Sequence, residues 1–223
     1  MLALKEFYMA SRIKKQILSI ALGSVFISSL FSFTPARADE TSNPIPSFSS
    51  FVESVKDGNP EALRGIYVHG VMAYPIVQQP YGNPAYVSSE ANVVTQFSIA
   101  TEVGNIGLLA HNYLAGANFS QLKAGDIITL VYGDGRIENF YVEELLQYKA
   151  TAPLSPYSNF IDVKTEEFLT AESLFNKVYR GEYHVALQTC IEKDGNLSWG
   201  RLFIIAKPIS EKHINLIAQI KIW

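Results

Sequence analysis

From Leu63 to Ala206 the chain runs as short apolar stretches, each stopped by a turn signal, and this pattern limits the fold more than any other feature. Residues 66–68 and 71–76 are candidate strands, followed by the loop Gln79-Pro80-Tyr81-Gly82-Asn83-Pro84. Residues 105–110 (NIGLLA) form a buried-type strand that runs straight into His111. Residues 126–132 and 136–146 flank Gly133-Asp134-Gly135, the pattern of a hairpin with a glycine turn. Residues 183–189 and 201–206 are again strand-like. Only residues 165–179 change period: Phe168, Ala171, Phe175, Val178 and Tyr179 recur at helical spacing, with Thr165 or Thr170 as the cap. Many strands, one or two short helices and no βαβ alternation predict a mainly β domain, an antiparallel barrel or sandwich. The 12 Tyr, 13 Phe, 14 Gly and 10 Pro agree with strands joined by tight turns. The last stretch, 209–223, fits either an edge strand or a short helix.

Residues 1–38 stand apart. Lys5, Arg12, Lys14 and Lys15 make a basic start, residues 17–33 carry no charge, and Ala36-Arg37-Ala38 is a small-x-small site. This three-part order predicts a secretory signal peptide cut between Ala38 and Asp39, with Met9 a second candidate start. The competing reading is an uncleaved membrane anchor, for which seventeen uncharged residues are at the short end. Either way the body is exported, to the extracellular space or the cell surface. Residues 39–62, broken by Pro44, Pro46, Gly58 and Pro60, are a linker with a short helix near 51–55, and residues 63–223 are the folded domain.

Charge excludes one class of partner. The leader holds five basic residues and one acidic, so the formal charge moves from −3 for the whole chain to −7 without it. Phosphate backbones are bound by Lys and Arg, so nucleic acid is excluded. No Cys/His cluster has metal-ligand spacing and no glycine loop suits phosphate; no cofactor and no metal are predicted. Glu143 and Glu144 give no basis for a Ca²⁺ site.

Cys190 is the only cysteine. In an oxidising compartment thiols pair, and a single one has no internal partner. It is a buried inert thiol, a link to another chain, or a reactive group. Two further residues end or begin apolar runs as it does: His111 after Leu108-Leu109-Ala110, and Arg201 before Leu202-Phe203. A strand holds such a residue rigidly at the rim of a barrel. The set suffices for acyl transfer. A thiolate attacks, an imidazole carries the proton to the leaving amine, and a guanidinium donates to the oxyanion.

Their order along the chain resembles the sortase family. Sortases carry a histidine after a short apolar strand, a TLxTC signature and an arginine on the next strand. Here the signature reads Ala186-Leu187-Gln188-Thr189-Cys190, with Ala186 in place of the leading Thr, and Arg201 follows across Lys193-Asp194-Gly195-Asn196. Phe119, Leu122, Gly125-Asp126 and Ile128 match the run that follows the family's histidine, and residues 71–76 are similar to its early strand. The likeness covers about residues 63–208. It implies a closed sortase-type β-barrel of about eight strands and a cysteine transpeptidase. An LPxTG-like sorting peptide would be cleaved between Thr and Gly, held as a Cys190 thioester, and passed to an amine of the cell wall or a pilin. His111 would be the acid/base, Arg201 would hold substrate or oxyanion, and Thr189 would be a second oxyanion candidate. Ala186 shares a strand face with Cys190, so it alters packing there and not the reacting atoms.

Two alternatives fit the same residues: a secreted cysteine peptidase that releases its acyl group to water, and a non-catalytic peptide-binding barrel. An L,D-transpeptidase also pairs Cys, His and Arg, but its SHGC-type signature is absent. His69, His184 and His213 lack motif context and are read as structural or surface residues. Residues 153–162 are a loop beside the pocket.

Overall fold

The computed structural model describes residues 45–155 and 157–209. The expected leader, the cleavage site, His213 and residues 210–223 lie outside them.

Ten strands form one sheet: β1 Leu63–Val68, β2 Met72–Gln78, β3 Val94–Phe97, β4 Ile106–Leu109, β5 Ile127–Tyr132, β6 Ile137–Ala150, β7 Phe160–Asp162, β8 Phe168–Leu169, β9 Val185–Lys193 and β10 Asn196–Pro208. Eight of them close into a barrel. The order runs β10-β9-β4-β3-β2-β1-β5-β6, and β6 pairs back onto β10. β7 and β8 extend the sheet outward from β6. Closure removes the edges that an open sheet would expose. The glycine-turn hairpin expected at 126–146 is β5–β6, and the turn before Arg201 is the tight β9–β10 connection, with Asp194 (φ 54°) and Gly195 (φ 78°) both left-handed.

Two joints differ from an all-antiparallel barrel: β2 pairs β3 in parallel, and β4 pairs β9 in parallel. Parallel neighbours need long connections, so no local turn signal announces them.

Strand alternation gives the wall two buried faces. Val185 and Leu187 of β9, with Leu202, Ile204 and Ala206 of β10, point into the barrel with Phe119, Leu130 and Phe140. Ala186, Phe203, Ile205 and Tyr148 point outward, where Leu174, Val178 and Tyr179 of helix α3 (Ala171–Tyr179) cover them. A short helix, α2 (Ser98–Glu102), brings Ala100 into this outer layer.

The helix expected over 165–179 begins at Ala171. Thr170 caps it, its Oγ1 accepting from Ser173 N at 3.0 Å. The residues before it fold back as a β7–β8 hairpin, because Asp162 Oδ1 accepts from Lys164 N (2.8 Å) and Thr165 N (3.0 Å). Phe168 therefore lies on β8 and is 59% exposed, not on the buried helix face. Burial opposes charge on Asp162, but the two backbone donors outweigh it and hold the carboxyl below its ordinary value. That contribution is full at neutral pH and is lost as pH falls through the lowered value.

The described part of the 39–62 segment carries helix α1 (Phe48–Val55), as the short helix was expected, and packs on the barrel. Phe51 inserts against Tyr67 and Val131, and Asp57 pairs with Arg64 at 2.6 Å. Phe51 is 3% exposed, so Phe51→Ala is expected to destabilise the protein by about 3 kcal/mol, read as a lower midpoint in urea denaturation.

Candidate active site

The site is built on three adjacent strands, β4, β9 and β10. In the antiparallel β9–β10 ladder Cys190 is the direct partner of Arg201. Directly opposed residues share a face. Since Leu187 and Leu202 fill the interior, Cys190 and Arg201 stand on the outer face of the wall, with Ala186, Gln188 and Phe203. β4 runs parallel to β9 with Leu109 beside Gln188, and Ala110 N extends the ladder by donating to Gln188 O at 3.2 Å. Extended two residues past the Leu109–Gln188 pair, beyond the end of β4, this register would set His111 alongside Cys190. Leu108 and Ala110 face the core, so His111 falls on the outer side. Cys190 and Arg201 thus pair across β9 and β10, His111 lies two residues past the end of β4, and each of the three is half-buried. No hydrogen bond joins the three side chains to one another among the described residues.

Each member is held by local contacts. The chain turns at His111, whose carbonyl accepts from Leu114 N and Gly116 N, both at 3.0 Å. Its ring stacks on Tyr113 with centroids 5.2 Å apart. Arg201 Nη1 donates to Gly200 O (2.9 Å) and Ser198 O (3.3 Å), which ties the guanidinium to its own strand. No carboxylate pairs with Arg201 among the described residues, so its charge is available to a ligand.

Thr189 differs from the expectation for its side chain. It is 4% exposed and on the inward face, opposite to Cys190, and its Oγ1 has no hydrogen-bond partner among the described residues. Only its backbone is on hand for an oxyanion role.

Sequence reasoning did not single out Gly116. It lies in the first turn of a 3-10 helix, Ala115–Gln121, laid over the β4–β9 seam. A Cβ here would stand 2.7 Å from His111 O and 2.8 Å from Ala110 O, and against Thr189 Oγ1. Only glycine allows this approach, and the approach fixes the carbonyl of His111. The signal in the sequence is the small-residue run Ala115-Gly116-Ala117 directly after the histidine loop.

Two cavities flank the β9–β10 ladder. One, of about 380 Å³, opens at the mouth of the barrel and is lined by Cys190, Thr189, Gln147, Ser120, Asn112 and Glu192 among others. The second, of about 140 Å³, lies on the outer face and is lined by Arg201, Gln188, Phe97, Phe160, Phe175, Tyr179 and Phe203, with Leu174 of α3. Its aromatic rings interlock: Tyr179 sits 5.2 Å from Phe97, 5.3 Å from Phe175 and 6.2 Å from Phe203. Burial pushes the Tyr179 phenol well above its ordinary value, so it stays a donor, bonding Gln188 Oε1 at 2.6 Å. Phe160, near the end of the 153–162 segment, is the part of that segment that reaches this groove.

The other histidines keep structural roles where described. His184 is 5% exposed, with ring nitrogens 2.7 Å from Glu182 O and Val178 O. His69 is exposed. No group of three or more His, Cys, Asp or Glu that could hold a metal exists among the described residues.

Gly116→Ala is expected to displace the His111 backbone, alter the pH profile of Cys190 alkylation by iodoacetamide, and slow turnover by about 10²-fold. An alkylation profile identical to the wild type would mean that this helix does not set His111.

No protein-family model and no curated protein sequence matches the chain. Solved structures similar to it include sortases. Sortase C-1 from Actinomyces oris (formerly Actinomyces naeslundii) matches with a TM-score of 0.44 and 14% identity, over 74% of this chain and 82% of that one. A sortase D5 transpeptidase from Clostridium perfringens matches at 0.41 and 15%, over 74% and 90%. A lid mutant of sortase A from Corynebacterium diphtheriae matches at 0.42 and 12%, over 66% and 70%.

Proposed function

We propose that this protein is an exported cysteine transpeptidase of the sortase type, with Cys190 as nucleophile. The observation that supports it most is the pairing of Cys190 with Arg201 on the outer wall, at the level where β4 delivers His111.

The chemistry follows from these three residues. The Cys190 thiolate attacks the carbonyl carbon of the scissile peptide bond. Charge builds on the carbonyl oxygen, and the Arg201 guanidinium, permanently charged and without a carboxylate partner among the described residues, is the donor for it or for the neighbouring peptide carbonyls. The C–N bond breaks and the leaving amine takes a proton from the His111 imidazolium. The acyl group rests as a thioester until an amine attacks it, forming an amide and freeing the thiol. The aromatic groove beside Arg201 suits the apolar residues of an LPxTG-like peptide, with cleavage between its Thr and Gly. The acceptor is an amine of a cell-wall component or a pilin. Such a substrate fits the export signal in residues 1–38 and a place at the cell surface. Among the described residues no helix is long and apolar enough to cross a membrane.

A library of LPxTG-type peptides, assayed with and without hydroxylamine, tests this by mass spectrometry. The wild type is expected to cleave a subset of peptides and, with the amine present, to yield the hydroxamate. Cys190→Ala abolishes both products, and Arg201→Ala lowers kcat by roughly 10²–10³-fold. A wild type that turns over no peptide and resists thiol-directed probes contradicts the proposal and favours a peptide-binding barrel.

A further inference from the structure

A general base beside a nucleophile is normally oriented by a third group that hydrogen-bonds its second nitrogen. His111 has no such group. Among the described residues neither of its ring nitrogens has a hydrogen-bond partner, and no carboxylate pairs with it. Its one ring contact is Tyr113, with planes 19° apart and centroids at 5.2 Å, the geometry of an offset stack. Tyr113 is 61% exposed and belongs neither to the barrel core nor to the layer under α3, so packing of the fold does not call for it. Its backbone is tied on both sides. Asn112 Nδ2 donates to Leu197 O at 3.0 Å, pinning the loop to the β9–β10 hairpin. Leu114 N donates to His111 O at 3.0 Å, closing a turn in which His111 is the first residue and Tyr113 the third.

We propose that Tyr113 is the positioning residue for His111, holding the imidazole by its face where a triad would hold it by its edge. The inference rests on the transpeptidase reading and adds to it the group that orients the acid/base. An edge-on hydrogen bond commits one ring nitrogen. A stack fixes the tilt of the ring and leaves both nitrogens free to exchange protons with the Cys190 thiol and the leaving amine. An aromatic pair of this geometry favours one ring orientation over its rivals by about two- to tenfold. Loss of that preference falls on the chemical step and not on peptide binding, because His111 meets the substrate only at the reacting bond. The ring of Tyr113 is what matters, and its hydroxyl is dispensable.

The test uses the full chain with a cleavable LPxTG-type peptide and hydroxylamine. It reads steady-state kinetics and the proton NMR signals of the histidine rings, those of His111 being assigned by their loss in His111→Gln. Tyr113→Leu keeps an apolar side chain but no ring. It is expected to move the His111 ring protons out of the shielding zone over the phenol, to lower kcat about two- to tenfold, and to leave KM for the peptide as it was. Tyr113→Phe is expected to restore the His111 signals and most of the lost rate. The proposal is overturned if the His111 signals or kcat of Tyr113→Leu match the wild type, if the loss falls on KM, or if Tyr113→Phe is as slow as Tyr113→Leu. A wild type that turns over no peptide would instead remove the transpeptidase reading, and this role with it, even where NMR shows the stack.

Discussion

The register of β9 against β10 is the constraint on which the rest depends. Strand side chains alternate, so a slip by one residue would turn Cys190 into the packed barrel and expose Leu187 and Thr189. Both faces of the wall resist that slip. Val185, Leu187, Leu202 and Ile204 are buried inside, and Ala186, Phe203 and Ile205 are buried outside. The two-residue turn at Asp194-Gly195 fixes where the hairpin folds, and the pairing of β6 with β10 closes the barrel around it. The pairing of the Cys190 thiol with the Arg201 guanidinium across the ladder is therefore a product of core packing.

Burial on two sides also leaves two cavities beside the β9–β10 ladder. Helix α3 covers the outward residues of β9 and β10, and the gap it leaves beside Arg201 is the aromatic groove. The 3-10 helix covers the barrel's end, and the space it leaves beside Cys190 is the larger of the two cavities that flank it. Gly116 and Ala186 serve the two sides in the same way. Each is small where a larger side chain would hold the covering element away from the wall. Ala186 thus packs under α3, on the strand face that it shares with Cys190.

Much of this was legible in the sequence where the cause is local. The β5–β6 and β9–β10 hairpins are announced by glycine turns, and β4 by an unbroken apolar run into His111. The two parallel joints were not legible, because β4 and β9 meet through a long detour that no turn records. That joint sets the end of β4, just before His111, beside Gln188 of the strand that carries Cys190. The front of α3 was misread for a different reason. Phe168 and Ala171 are three apart and imitate a helical turn, while Asp162 and Thr170 pull the backbone into a hairpin and a cap. The direction of the Thr189 side chain follows from strand parity once Cys190 is known to face outward, a fact that only the closed barrel supplies.

The most direct test of the account is a crystal structure of the protein carrying a substrate-mimic peptide disulfide-linked to Cys190. The placement of the three residues predicts a peptide lying along the outer wall. Its apolar side chains would sit in the groove between Phe175 and Phe203, its carbonyl oxygen would face Arg201, and the His111 ring would lie within hydrogen-bond reach of the leaving-group position. A peptide seated instead inside the barrel mouth, with Arg201 still bonded only to Ser198 and Gly200 and His111 turned away, would contradict it.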